Sequence, residues 1–415
     1  MRPASLCLLL LLCAAAPAPG QESAPIELEN ADSLKGLVID GEDARELIGN
    51  VRIRQERVVI TCDRALQYIA RERVVMTGHV VVRDDSVVMR APRAVYHGAS
   101  RRAEAFDVVQ LDDGRTRLDA AYGEYYLNER RARFVGRVRV EDSTSIVTAD
   151  TLHYERDGGR AIARHAVTVV GKADRVTITG EHLDHIADPP YSRMTGAPRL
   201  TQVDTSGGKR DTLIVASRIL EAYRDSSRLL LATDSVRFVQ GDLGGLCRRM
   251  EFYTRDDSLL LRGEPVVWYE ETQVIGDSIT VYLRARKLHR VAVMGDAFTV
   301  SRSDSAFPDR FDQMTSDSLF MWFGTGGLEE IDARSQATSI YHLYEDSLGN
   351  GLNRSSCDRI VLSFRERKLQ EIRFVGGVEG TYVPENLLYK RESEYRLPGF
   401  VWRTDRPTRD TLRNP

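Results

Sequence analysis

The sequence predicts an all-β chain built from tandem repeats of about 29 residues, and three observations lead there. First, a small residue closes a strand-like segment at Cys62, Ala91, Ala120 and Ala149, each 29 residues after the last. Second, the apolar period inside a repeat is two rather than 3.6: Val80 and Val82 alternate with His79, Val81 and Arg83, which is strand periodicity in residues that favour strands. Third, hardly any window of a dozen residues carries an amphipathic helical pattern.

The columns extend this period. Val51, Val80, Val109, Val138 and Val167 form one, and Ile53, Val82, Leu111, Val140 and Val169 form another. A turn column reads Gly49, Gly78, Asp107, Gly136 and His165. The small column continues at wider spacing as Gly180, Ala216, Cys247, Gly276, Ser316 and Cys357. Loops such as DPPYSRMTGAP and YEDSLGNGLNRSS account for the widening, as repeat arrays tolerate surface insertions. Asp-Ser corners such as Asp84-Asp85-Ser86 and Asp256-Asp257-Ser258 supply turn chemistry between strands. About ten repeats of two to three short strands each are expected. The interior is open to two readings: a closed β-solenoid filled by aliphatics, or a trough kept partly empty by the small column.

The bulk numbers narrow the class. The 58 basic and 61 acidic residues leave no excess positive charge for phosphates, so nucleic acid is not an expected partner. Arg2, the apolar run Leu6–Ala16 and APAPG before Gln21 read as a secretory signal peptide over residues 1–20. The apolar run is too short to span a membrane as a helix, and Cys13 lacks the small neighbour that lipidation would want. Cys62, Cys247 and Cys357 remain after cleavage. They share one column several repeats apart, so free buried thiols are expected.

No catalytic constellation emerges. The chain has no nucleophile elbow, P-loop or dinucleotide fingerprint, so no cofactor and no enzyme activity are expected. In GEHLDH, strand geometry puts His182 and Asp184 on one face and His185 on the other, which disfavours a metal site. His165 reads as a turn residue, His153 as an outward strand residue, and GTGGLEE at Gly324 as a turn.

GNVRIRQERVVITCDRALQY and GRVRVEDSTSIVTADTLHY resemble the OstA-like (organic solvent tolerance) repeat of the LptA-type lipopolysaccharide-transport periplasmic domain family. Its pattern is Gly-x-Val-x-Val, a charged turn, a strand, then Ala-Asp-x-Leu-x-Tyr. Ala149 to Tyr154 match it; Cys62-Asp63 and Cys357-Asp358 keep the Asp, and Ala91-Pro92 does not. The resemblance implies an elongated V-shaped antiparallel β-jellyroll over residues 28–185, with a divergent continuation over 186–383 and a C-terminal tail over 384–415. It implies a non-enzymatic conduit for lipopolysaccharide or a related lipid in the periplasm, associated with the outer membrane. The groove would be lined by Val51, Ile53, Val58, Ile60, Val80, Val82, Val87, Met89, Leu118, Val138, Val140, Val147, Val167 and Val169. Partners would be other lipopolysaccharide-transport proteins at the inner and outer membranes, met through edge strands, and further copies of the chain, head to tail.

Two departures from the family stand out. The chain is about twice the length of a minimal bridge protein, and it lacks the aromatic-rich barrel of the outer-membrane member. An exported solenoid scaffold or adhesin with a filled core is the alternative. A polysaccharide-processing β-helix ranks last, because the repeat columns carry few carboxylates. The stretch from Pro384 leaves the repeat and reads either as a cover for the last edge strand or as a tail.

Overall fold

The computed structural model describes residues 27–413 except positions 56, 85, 174, 205–210, 225–227, 285–286, 305, 346–347 and 367. The expected signal peptide lies outside the described residues. The chain divides between Pro198 and Arg199 into two compact units, both antiparallel β.

Unit 1 holds β1 (Glu27–Asn30), β2 (Ser33–Ile39), β3 (Glu42–Gln55), β4 (Val58–Tyr68), β5 (Arg73–Asp84), β6 (Val87–His97), β7 (Arg102–Asp112), β8 (Arg117–Tyr126), β9 (Arg131–Glu141), β10 (Ser145–Glu155), β11 (Arg160–Gly171), β12 (Val176–Ile186) and β13 (Tyr191–Thr195). From β3 to β13 each strand pairs with the next. A repeat is therefore one hairpin of two long strands, not two to three short ones. Each strand is bent midway, so its two halves read as separate short strands in sequence.

The bend has a fixed chemistry. Two successive residues take positive φ: Gly49 and Asn50, Gly78 and His79, Asp107 and Val108, Gly136 and Arg137, His165 and Ala166. The whole predicted turn column thus sits in the left-handed region. The pairing register shifts at each of these points, as in a β-bulge. Opposite the bulge stand the small residue and its successor. At Gly78 (φ 75°) a Cβ would lie 2.2 Å from Asp63 Oδ2, so only glycine fits beneath the Asp that follows Cys62. The Asp then takes a second partner, His79 Nδ1, at 2.8 Å. Asp32 does the same over Gly49, accepting from Asn50 Nδ2 at 3.0 Å.

The bend divides every strand between two walls. Wall A carries Val51–Gln55, Val58–Cys62 and their equivalents; wall B carries Glu42–Ile48, Arg64–Tyr68 and theirs. Their inward residues share one core, with Val51 and Val80 from wall A, Leu47, Ala65, Met76 and Ala94 from wall B, and Cys62 at the bend. Val51, Val80, Val138 and Val167 are 1–2% exposed and stand at one position, directly after the bulge.

Unit 2 repeats the scheme in strands from Arg199–Asp204 to Glu379–Val383, with bulges such as Asp234–Ser235, Gly295–Asp296 and Ser335–Gln336. One column assignment needs correction. The small residue of the first bend is Ser217, not Ala216: Arg218 N donates to Asp234 O at 3.0 Å, as Asp277 N does to Gly295 O at 2.9 Å. The widened spacing hid the one-residue offset, and the stretches read as loop insertions are largely strand. DPPYSRMTGAP holds β13 and the bend at Gly196–Ala197, and most of YEDSLGNGLNRSS lies in the long strands Gly327–Glu345 and Leu348–Arg365. Ser217, Ser316 and Cys357 each donate their side-chain hydrogen to the carbonyl two residues on, at 2.9, 2.8 and 3.1 Å. That shared bond explains why Ser and Cys alternate with Ala and Gly in this column.

The interior of unit 2 is filled, with Phe238, Met250, Leu261, Ile279, Met321 and Ile360 all buried in one cluster. Phe238 lies over Gly245, its cross-strand partner on the neighbouring strand, where a Cβ would stand 2.4 Å from its ring. Wall A of this unit is also apolar on its outer face, and the segment from Pro384 covers that face. Leu388 and Leu397 pack with Phe298, Val300, Phe311, Ile340 and Leu352; Leu412 packs with Ile214 and Val239. Gln273, wholly buried, clasps the strap by donating to Val401 O at 2.6 Å and accepting from Arg403 N at 2.8 Å. Arg406 donates to the carbonyls of Glu270 and Asp242 at 2.5 and 2.6 Å. Buried Arg310 pairs with Glu385 at 2.5 Å. The strap therefore lies across a sheet face rather than over the last edge strand.

On the outer face of wall B, buried Asp332 accepts two hydrogen bonds from Arg359, at 2.7 and 2.9 Å, and one from Arg334 at 2.7 Å. Burial pushes its carboxyl up, but the arginines outweigh burial and hold it below the usual range.

Two outcomes follow for unit 2, which holds all three tryptophans (Trp268, Trp322, Trp402), so tryptophan fluorescence follows its unfolding. Leu388→Ala lowers its stability by about 2–5 kcal/mol in urea titration, and truncation after Val383 exposes surface that binds a hydrophobic dye. Because the folded Asp332 carboxyl is depressed, its contribution is present above the unfolded value of about 4 and is lost as pH falls through the folded one. Asp332→Asn flattens that acid-side loss of stability.

Candidate apolar groove

Inside unit 1 the register lines up one aliphatic from every strand of wall A. Leu28 of β1 pairs with Ile53, and the ladder runs on through Ile60, Val82, Met89, Leu111, Leu118, Val140, Val147, Val169 and Ile178. Exposure along it changes abruptly. Leu28 is 45% exposed and Ile53 to Leu111 are half-buried, whereas Leu118 is 1% exposed and Val140 and Val147 are buried. Wall A is thus open between its halves of β1 and β7, and closed from β8 to β11.

The lip of the wall matches this division. At the closed end, buried Thr116, Asp142 and Ser145 turn inward. Asp113 Oδ1 accepts from Arg115 N and Thr116 N at 2.8 and 2.7 Å, and Asp142 Oδ1 from Thr144 N and Ser145 N at 2.6 and 2.7 Å, which tightens both hairpin tips. At the open end the lip positions are Gln55, Val58, Asp84 and Val87.

The facing ladder on wall B reads Leu47, Ala65, Met76, Ala94, Ala105, Gly123, Phe134, Leu152, Ala163 and Leu183. Below the lip, the arginines of wall A lie on its outer face. Arg52 binds Glu29 at 2.5 Å, Arg54 binds Glu29 as well, and Arg139 binds Glu141 at 2.7 Å. Hydrogen bonds from Arg54 and then Arg52 hold Glu29 below the usual carboxylate range.

The predicted lining residues fall into two sets. Ile53, Val58, Ile60, Val82 and Met89 are half-buried in the open stretch. Val51, Val80, Val87, Leu118, Val138, Val140, Val147, Val167 and Val169 are buried, either beside the bend, at the lip or in the closed half. Sequence reasoning left Leu28 and Leu111 off that lining. Leu28 precedes the first full repeat, but the second-column spacing already carried Leu111.

The other polar candidates go elsewhere. Asp184 is held by Arg160 at 2.9 and 2.6 Å, and buried His185 sits 2.9 Å from Ser192 Oγ on the opposite face. Among the described residues, no group of three or more His, Cys, Asp or Glu side chains is placed to hold a metal ion. No helix among them is long and apolar enough to cross a membrane.

Residues 23–74 and 70–182 match the OstA-like protein family. The described part of that span lies in the bent-hairpin array of unit 1. Residues 23–182 are an OstA-like domain. A solved structure similar to part of the chain is LptH, described as the LptA-homologous periplasmic component of the conserved lipopolysaccharide transport device from Pseudomonas aeruginosa. It shares 15% identity, covers 34% of this chain and 95% of LptH, and has a TM-score of 0.26. The assignment of the OstA-like domain therefore rests on the family match alone. No curated protein matches the chain.

All three described cysteines, one in the OstA-like domain and two in unit 2, are free and buried. Burial raises the Cys62 thiol to about 11 and the Cys247 thiol to about 12, which suppresses the thiolate that reacts with disulfide reagents. Thiol titration of a chain starting at Gln21 should give almost no reaction in the native state at pH 8 and three thiols after denaturation without reductant. Finding one thiol would mean that two are joined.

Proposed function

We propose that the OstA-like unit binds acyl chains of lipopolysaccharide, or of a similar lipid, in the open stretch of its groove during periplasmic transport toward the outer membrane. The observation that carries this reading is the ladder from Leu28 to Leu111. It is a continuous, half-exposed aliphatic column, with Asp84 at its lip and the arginines of the same wall on the outer face. Such a column offers only dispersion and area burial, at about 25 cal/mol per Å², with no directional bond to fix one chemical group. It therefore suits a sliding hydrocarbon better than a reacting substrate, and the role proposed is non-enzymatic. The resemblance of the repeat to lipopolysaccharide-transport domains supports the choice of lipid and compartment. By the same resemblance, other transport components meet the chain at its edge strands, and head-to-tail self-association belongs to this reading as well.

Unit 2 favours a second role for its own part of the chain. Its core is filled and its outer face is strapped, which fits the scaffold reading and leaves lipid carriage to unit 1.

Photo-crosslinking probes placed at Ile53, Ile60 and Met89, compared with probes at Arg52 and Arg139, test the proposal in cells. Lipid adducts confined to the first set are the expected result; equal labelling of both sets overturns it. Met89→Asp should abolish the adducts at Ile60, because an unpaired carboxylate is costly in apolar surroundings, whereas Arg52→Asp should leave them within about twofold.

A further inference from the structure

The open groove of unit 1 has a built end. On wall B, Ala94, Ala105 and Gly123 are direct cross-strand partners on successive strands, and the next partner is Phe134. A methyl placed on Gly123 would lie 3.0 and 3.1 Å from Phe134 Cδ1 and Cε1, and 3.5 Å from Val109 Cγ1 of the facing wall. The ring therefore leans back over Gly123 and, with Val109, closes on that spot from both sides. Phe134 is itself buried, as is Leu152, its partner on β10. On wall A the exposure step falls at the same level, between Leu111 of β7 and Leu118 of β8.

These two independent changes coincide: after the run Ala94, Ala105 and Gly123 an aromatic ring arrives on one wall where exposure ends on the other. We propose that Phe134 is the closed end of a slot for a single unbranched alkyl chain, and that it sets the length of chain the unit accepts. The occupant is argued from the lining. The ladder between Leu28 and Leu111 is aliphatic throughout, and the facing small residues, Ala65 on one side of Met76 and Ala94 and Ala105 on the other, leave width for a hydrocarbon. From β1 to β7 the ladder covers five strand spacings, or about 24 Å, which is the scale of a long acyl tail.

The inference rests on the reading of this groove as a site for acyl chains, and the test separates the two. The purified chain from Gln21 is titrated with saturated fatty acids of increasing length, with binding followed by displacement of a fluorescent fatty acid. For wild type, affinity should rise about fourfold per added methylene, the equivalent of full methylene burial, and then stop rising at a limiting length. Phe134→Ala should move that limit to longer chains while leaving affinity for short chains within about twofold. Phe134→Leu, which keeps a core side chain in place if the alanine variant unfolds, should move it less. Ile60→Trp, in the open stretch, should move it the other way.

A limit unchanged in both Phe134 variants overturns the closed end while leaving acyl binding intact. A wild-type affinity that rises without limit does the same. Absence of any displacement by any chain overturns the acyl reading itself, and the slot with it.

Discussion

The architecture depends on one backbone constraint: a pair of consecutive left-handed residues in one strand facing a small residue in the next. Two residues at positive φ cost conformational energy unless glycine or a compensating bond is present. Here the compensation is reciprocal. At Gly49 and Gly78 the Asp beyond the small residue covers the glycine and binds the side chain of its successor. Where no Asp follows, as at Ala120-Ala121, a methyl takes the space: Ala121 Cβ lies 2.8 Å from where a Cβ on Gly136 would stand. Repeated within each unit, this bend turns a meander into two walls with a common interior. Everything functional is a matter of how far that interior is filled.

Filling differs between the units for reasons visible in side-chain volume. Unit 2 sends Phe238, Met250, Met321 and Ile360 inward, and its outer wall is apolar enough to need a cover. In unit 1 the inward small residues cluster at Ala65, Ala94, Ala105 and Gly123, and the outer wall is charged. Phe298 and Val300 occupy the places, counted from the bulge, that Arg52 and Arg54 occupy in unit 1. The same fold therefore supports an open stretch in one unit and a closed, double-faced sheet in the other.

The repeat and its bend were legible because the bend is a backbone demand that few residue types satisfy. Gly49, Gly78 and Gly136 at fixed spacing, each preceded in space by a small residue, leave a strong mark on the sequence. Wall A was legible too, because its inward residue follows the bulge at a constant distance. Wall B was not. Its inward positions hold Leu47, Ala65, Met76, Ala94, Gly123 and Phe134, a mixture that packing selects one at a time and that forms no column. For that reason Phe134 carried no signal, and the limit it places on the open stretch became visible only in three dimensions. The strap was obscure for a related reason. Phe298, Phe311 and Ile340 read as ordinary strand residues, and only their outward parity shows that something must cover them.

The strap also imposes an order of events. Leu388, Leu397 and Leu412 lie C-terminal to every strand they cover, so the outer face of unit 2 stays wet while the chain emerges N-terminus first. Until the chain is complete the exposed strip of Phe298, Phe311 and Ile340 is then a transient hazard for aggregation, and the last residues to arrive are the ones that remove it.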